Sequence, residues 1–310
     1  MADNPSISVV IPVFNEEKSL ERVYSELSQV LEPIGNWEII FIDDGSDDDS
    51  LNVMKTIVEN DNRSTIVSFY RNYGKSVALS EGFKVAKGKY VITIDADLQD
   101  DPKEIPNLIS KLEDGYDLVS GWKINRQDPW TKTFPSIIFN FITRILTGVK
   151  IHDFNCGLKI YRIAVVKTLD IYGGHHRYIP ALASQKKFKI AEIQVKHYPR
   201  KYGISKYGGN RLFHGFFDLI TILFFNRYIQ RPLHLFGFFG LSCIIIFLVI
   251  EIYVVGLKII MGHSFYTHMA LMLFGAMLFI LGLWFFSIGI IAEMITRKDH
   301  NQESRIKQII

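Results

Sequence analysis

The sequence predicts an α/β fold, a mostly parallel Rossmann-like sheet clothed by helices, followed by two C-terminal transmembrane helices. Three observations predict it. Before about residue 210, short β-branched runs alternate with amphipathic stretches, the order expected of strand–helix units in a parallel sheet. Acidic clusters close two of those runs, at Asp43-Asp44 and at Asp95-Ala96-Asp97, where open α/β sheets bind ligands at the carboxyl ends of strands. From Arg231 onward the chain turns apolar, with a run Leu233–Leu257 broken only by His234 and Glu251 and a run Met269–Ile291 without a charge. Each run is long enough to cross a hydrocarbon core of about 30 Å, which takes about 20 apolar residues in a helix.

The elements follow in order. Ile7–Pro12 reads as a first strand, and a helix runs from about Glu16 to Leu31. Trp37–Ile42 is a second strand, ending in the acidic turn Asp43-Asp44-Gly45-Ser46. Thr65–Phe69 is a third, and Gly74–Ala86, with Val77, Ala78, Phe83 and Val85, reads as a helix. Tyr90–Ile94 is a fourth strand that runs into Asp95-Ala96-Asp97. Phe134–Leu146 and Leu212–Phe225 are apolar but too short or too broken to span. They suit helices lying in a membrane interface or, equally, buried core helices. The expected organisation is a domain over 1–210, a juxtamembrane amphipathic helix over 211–231, two spans over 232–295 and a tail over 296–310.

Composition narrows the function classes. The net charge of +3 is too small for a nucleic-acid protein, and basic residues gather near the apolar runs, where anionic headgroups attract them. The bilayer is the expected partner, and nucleic acid is not. Arg227 and Arg231 precede the first run and Arg297, Lys298, Arg305 and Lys307 follow the second, against Lys258 alone between them. The positive-inside rule then puts both termini in the cytoplasm, and residues 1–30 show no secretory pattern. The expected location is the inner (plasma) membrane with the large domain cytoplasmic. Two cysteines, Cys156 and Cys243, build neither a disulfide framework nor a cysteine zinc site.

Residues 95–99 carry the most chemistry. On an extended chain, positions i and i+2 point the same way, so Asp95 and Asp97 can present two carboxylates to one point, with Gln99 as a further oxygen donor. Such oxygens suit Mg²⁺ or Mn²⁺, which bind through one or two carboxylates plus substrate phosphates. A solvated acidic loop after a buried strand is the alternative. Asp44, in a turn beside a helix start, is a good acceptor for an N–H or hydroxyl, while Asp47, Asp48 and Asp49 read as helix-capping. Gly74-Lys75 opens a helix and can offer N–H groups and an ammonium to phosphate, or be a plain N-terminal turn.

These strings occur together with others. Val9-Val10-Ile11-Pro12-Val13-Phe14-Asn15-Glu16-Glu17, Asp43-Asp44-Gly45-Ser46, Arg71-Asn72-Tyr73-Gly74-Lys75, Asp95-Ala96-Asp97-Leu98-Gln99-Asp100-Asp101-Pro102, Asp153-Phe154-Asn155-Cys156-Gly157-Leu158-Lys159 and Arg200-Lys201-Tyr202-Gly203-Ile204-Ser205-Lys206-Tyr207 stand in that order. The chain resembles family 2 glycosyltransferases of the dolichol-phosphate mannose synthase type, most of all the GtrB-like bactoprenol (undecaprenyl-phosphate) glucosyltransferases. The resemblance implies a GT-A fold and an inverting transfer of a sugar, glucose from UDP-glucose, to a polyisoprenyl phosphate.

It also implies roles. Pro12, Phe14 and Glu16 would hold the nucleoside and Asp44 its base or ribose, with Lys75 and Asp95 further on the nucleotide-sugar. Asp95, Asp97 and Gln99 would hold Mg²⁺ or Mn²⁺, with Asp97 and Asp153 at the reacting centre. Arg126, Arg200, Ser205 and Lys206 would take the acceptor phosphate. A phosphate monoester is largely dianionic at neutral pH, its second pKa being about 6, so its oxygen can attack without a base at Asp153. The partners implied are a nucleotide-sugar donor, a polyisoprenyl-phosphate acceptor and a second copy of the chain as a homo-oligomer. A processive polysaccharide synthase would need a Gln-x-x-Arg-Trp string that is missing. An inactive two-span scaffold is disfavoured by the presence of Asp44, Asp95, Asp97, Arg200 and Lys206.

Overall fold

The computed structural model describes residues 5–124, 130–199 and 232–299. It divides into two compact units, Met1–Ile220 and Thr221–Ile310. In the first, a seven-stranded sheet runs in the order β3-β2-β1-β4-β6-β5-β7. The strands are β1 (Ile7–Val13), β2 (Trp37–Asp43), β3 (Ser64–Ser68), β4 (Tyr90–Thr93), β5 (Leu118–Lys123), β6 (Lys159–Arg162) and β7 (Ile190–Val195). Neighbours pair in parallel except β6, which runs antiparallel to both β4 and β5.

Helices cover both faces. Val9, Ile11, Ile39 and Phe41 face one core with α1 (Leu20–Leu31), α2 (Ser50–Asn60) and α4 (Ile105–Glu113). Val10, Ile40 and Ile42 face the other with α3 (Lys75–Val85), α6 (Ile163–Thr168) and α7 (Ile179–Gln185). Burial on both faces explains why these strands read as continuous apolar runs rather than alternating ones.

The predicted strands hold to within a residue at each end. The first helix starts later than expected, at Leu20, because the preceding N–H groups bind elsewhere. Asn15 takes a left-handed φ of 53°, and the Glu16 and Glu17 amides donate to Ser50 Oγ at the start of α2 and to Asp48 Oδ2 just before it. Phe134–Leu146 lies inside the longer helix α5 (Trp130–Thr147). Its faces are inverted: Asn140 and Thr143 are buried, whereas Ile137, Phe141 and Ile145, spaced by four, are more than half exposed. Leu212–Phe225 lies outside the described residues.

The second unit contains α8 (Pro232–Met261) and α9 (Met269–Asp299). At 30 and 31 residues each extends about 45 Å at 1.5 Å per residue, and both are long and apolar enough to cross a membrane. They cross where glycine permits backbone contact. A Cβ on Gly240 or on Gly282 would lie 2.9 Å from the other glycine's carbonyl oxygen. Glu251 faces Gly275, where a Cβ would lie 3.3 Å from Oε1. Large apolar side chains such as Ile252, Ile259 and Trp284 point outward.

Candidate functional site

Chain order β1, β2, β3 fills one side of the sheet, and β4 then returns to the other side of β1. That reversal makes a crevice at the carboxyl ends of β1 and β4, the usual ligand position in such sheets. Because β6 is reversed, with Lys159 opposite Thr93, the Asp153–Leu158 loop arrives at the same end as the turn following β4. Lys123 at the end of β5 and His197 beyond β7 reach that end too.

Pro12 lies in β1, and Phe14 and Glu16 follow it in a loop tied to the segment that carries the acidic turn after β2. Gly45 is required there: its φ is +69° and a Cβ would lie 2.4 Å from the Arg71 carbonyl carbon. Asp44 is buried, and its carboxylate accepts the Tyr73 amide at 2.7 Å and the Gly74 amide at 2.9 Å. Burial pushes its pKa up, with these N–H groups working against the shift. Among the later aspartates, Asp48 caps α2 by accepting the Ser50 amide, while the side chain of Asp49 makes no cap bond.

Lys75 opens α3 and donates from Nζ to Asp95 Oδ1 at 2.5 Å. The strand stops at Thr93, so Asp95, Asp97 and Gln99 lie in a turn and not on the extended chain expected. Asp97 Oδ1 accepts the Gln99 amide at 3.2 Å, and Leu98 adopts a φ of 59°. The two-residue alternation nevertheless persists, with Ala96, Leu98 and Asp100 buried between the partly exposed Asp95, Asp97 and Gln99. Two carboxylates and an amide are a donor set for a hard divalent cation that keeps positions open for phosphate oxygens and water. Among the described residues no cluster of three His, Cys, Asp or Glu side chains forms a closed metal cage.

Gly157 packs against this turn so closely that a Cβ would lie 2.6 Å from Asp95 Oδ2 and 2.9 Å from Asp100 Oδ2. Asp153 is 1% exposed, and its Oδ1 accepts the Asn155 amide at 3.0 Å. Arg126, Arg200, Ser205 and Lys206 lie outside the described residues.

Four buried polar residues to which the sequence assigned no role lie close by. Asp100 pairs with Lys123 at 2.8 Å with His197 beside it, the side chains being 1%, 12% and 3% exposed. Burial alone would push the Asp100 carboxyl up; the Lys123 charge and then His197 hold it well below the usual range. Lys159 is buried below Asp95 and Asp153, donates to the Cys156 carbonyl, and has its pKa lowered by burial. Asp100 and Lys159 sit inside recognised strings, the signals that the sequence offered. A cleft of about 440 Å³ opens beside Asp100, between Arg22 and Glu26 of α1 and Lys103 and Tyr198, and it does not include Asp95, Asp97 or Gln99.

Comparison with known proteins agrees with this fold. The sequence model described as Glycosyl transferase family 2 matches residues 8–170. A dodecaprenyl-phosphate galacturonate synthase of Rhizobium johnstonii is 36% identical over 310 residues, covering 98% of this chain and 91% of the relative. An undecaprenyl-phosphate 4-deoxy-4-formamido-L-arabinose transferase of Shewanella sediminis is 34% identical, covering 94% and 87%. Among solved structures, glucosyl-3-phosphoglycerate synthase from Mycobacterium tuberculosis, in complex with Mn²⁺ and UDP-glucose, superposes with a TM-score of 0.54 at 20% identity, covering 72% of this chain and 79% of that one. With its GT-A-like sheet, its acidic turns at the strand ends and a family match across more than half its length, the chain belongs to glycosyl transferase family 2.

Proposed function

We propose that this glycosyltransferase moves a sugar from a nucleotide-sugar to the phosphate of a polyisoprenyl lipid at the inner membrane. The observation that carries the reading is the gathering of Asp44, Lys75, Asp95, Asp97, Gln99 and Asp153 at one end of the sheet in a chain that also holds two helices of membrane-spanning length. The acceptor class is supported by two relatives named for dodecaprenyl and undecaprenyl phosphate. Glucose from UDP-glucose is the donor that the sequence resemblance favours; those relatives are named for galacturonate and 4-deoxy-4-formamido-L-arabinose.

Pro12, Phe14, Glu16 and Asp44 are read as the nucleoside side of the site, with the unused lone pairs of the Asp44 carboxylate facing base or ribose. Asp95, Asp97 and Gln99 would hold Mg²⁺ or Mn²⁺, which when bound supplies positive charge against the leaving diphosphate. Lys75, at the N-terminus of α3, adds an ammonium to the same phosphates. The lipid phosphate oxygen attacks the anomeric carbon, the bond to the diphosphate breaks on the opposite face, and the anomeric centre inverts. Asp153, buried and holding the Asn155 amide, shapes the reacting centre, and a dianionic phosphate needs no base. Arg126, Arg200, Ser205 and Lys206 are assigned the acceptor phosphate. The exposed stripe Ile137, Phe141 and Ile145 on α5 suits contact with the membrane interface.

The test incubates purified protein with undecaprenyl phosphate, Mn²⁺ or Mg²⁺ and nucleotide-sugars carrying glucose, galacturonate and 4-deoxy-4-formamido-L-arabinose, and weighs the lipid product. One polyisoprenyl-phosphate sugar is expected, and the absence of a lipid product from every donor would overturn the reading. Asp97→Asn should lower turnover by about 10²–10³ with the melting curve unchanged, the size of losing one charge-stabilising contact. Unchanged turnover at saturating metal would sink the metal assignment. Lys206→Ala should raise the KM for lipid phosphate by about tenfold or more, and Asp44→Asn should weaken UDP binding by a similar factor, as expected for losing a charge-assisted hydrogen bond. The reverse pattern would exchange the two halves of the site.

A further inference from the structure

Gln99 differs from Asp95 and Asp97 in a way that matters to a cation. A carboxylate offers oxygen on both arms, but an amide offers oxygen on one and N–H groups on the other. A Gln99 side chain flipped by half a turn would present hydrogens to the cation. Something must hold it one way.

The structure contains the parts that do so. The Gln99 Nε2 lies 3.3 Å from the Tyr198 carbonyl oxygen. That oxygen only accepts, so the arm facing it is the NH₂, and Oε1 is turned away. The same Nε2 lies 3.5 Å from His197 Nε2. An NH₂ group can sit there only against a lone pair, so His197 Nε2 is the acceptor. On its other side, His197 Nδ1 lies 3.7 Å from Asp100 Oδ1, beyond hydrogen-bond length. Asp100 keeps its charge and position through Lys123 at 2.8 Å.

The backbone locks the arrangement, with the Tyr198 amide donating to the Gln99 carbonyl at 2.8 Å and Asp100 and His197 forming an antiparallel bridge. With its side chain 3% exposed, His197 is packed in place.

We propose that His197 is a positioning residue that, with the Tyr198 carbonyl, turns the Gln99 amide oxygen toward the divalent cation. The proposal rests on the metal-dependent transfer proposed above. Its logic is that of ligand orientation from behind, where loss of the supporting partner typically weakens metal affinity about 10–100-fold.

The experiment titrates Mn²⁺ by calorimetry onto the full-length protein in detergent with saturating UDP, beside Mn²⁺-dependent turnover and thermal melting. His197→Asn keeps a polar partner for Asp100 but withdraws the acceptor at the Nε2 position. It should weaken Mn²⁺ binding by about tenfold or more, raise the Mn²⁺ needed for half-maximal turnover by the same factor, and leave the KM for lipid phosphate unchanged. His197→Gln restores an acceptor at that position and should bind Mn²⁺ as the unmodified protein does. In the double variant His197→Asn/Gln99→Glu a carboxylate supplies oxygen on either arm, so affinity should return.

Wild-type Mn²⁺ affinity in His197→Asn, or a double variant as weak as the single, overturns the proposal. If the unmodified protein binds no Mn²⁺ with UDP, or Asp97→Asn binds it as well, the metal reading itself falls and takes this one with it. Loss in Asp97→Asn without loss in His197→Asn removes only the positioning role.

Discussion

Gly157 shows how tightly single residues are held at the site. Its missing side chain lets the Asp153–Leu158 loop lie against two carboxylates, since a Cβ would meet Asp95 Oδ2 at 2.6 Å and Asp100 Oδ2 at 2.9 Å. Gly157→Ala must therefore displace Asp95 or the loop, and a misplacement of about 1 Å near the reacting atoms can lower a rate about 100-fold. Steady-state kinetics should show that loss, with Lys111→Ala, an exposed helix position paired with Asp114, near wild type. Wild-type kinetics in Gly157→Ala would mean that Asp95 is not held as described. Asp44 carries a different constraint. It joins the Tyr73-Gly74 turn to the end of β2, so this carboxylate also serves the fold.

At the scale of elements, the reversed strand β6 and the buried pair Asp100–Lys123 bring separate loops to one place. Lys123 ends β5 and Asp100 follows β4, strands separated in the sheet by β6. Removing one partner of a buried ion pair costs about 3–5 kcal/mol, so Asp100→Asn should lower the Tm on the order of 10 °C in a domain of this size. The pH dependence follows from the depressed pKa of Asp100. Its folded-state pKa is below the unfolded value of about 3.9, so its contribution is fully present above that value and is lost as pH falls below it. Acid melting curves below about pH 4 should be flatter in Asp100→Asn than in the unmodified protein. An equal acid slope in both would show that the pair does not couple folding to protonation.

For the whole molecule, the membrane reading makes the sharpest demand. The apolar helices α8 and α9 form a hairpin through Gly240 and Gly282, and Arg297, Lys298, Arg305 and Lys307 follow it. Under the positive-inside rule, a reporter fused after Ile310 should be active in the cytoplasm and silent in the periplasm. A periplasmic signal would overturn the two-span topology and, with it, the placing of donor and acceptor on the cytoplasmic face.

The sequence by itself determined the α/β order, the acidic turns and the apolar helices. These depend on local patterns: β-branched runs, glycine and acidic residues at turns, and uninterrupted apolar length. It also offered Asp44, Lys75, Asp95, Asp97 and Gln99 as candidates from strings near a strand end or helix start, and Asp153 through the family resemblance. It did not show that helix α1 waits until Leu20, since Glu16 and Glu17 bind a segment more than 30 residues away in sequence. Nor did it show that Asp95–Gln99 is a turn, or that α5 carries its polar residues inside. Lys123 and His197 have no local signature at all. Only the tertiary structure brings His197 beside Gln99 across 98 residues of chain, through the antiparallel β6 and the parallel return of β7, because electrostatic pairing and burial act through space while sequence patterns act along the chain.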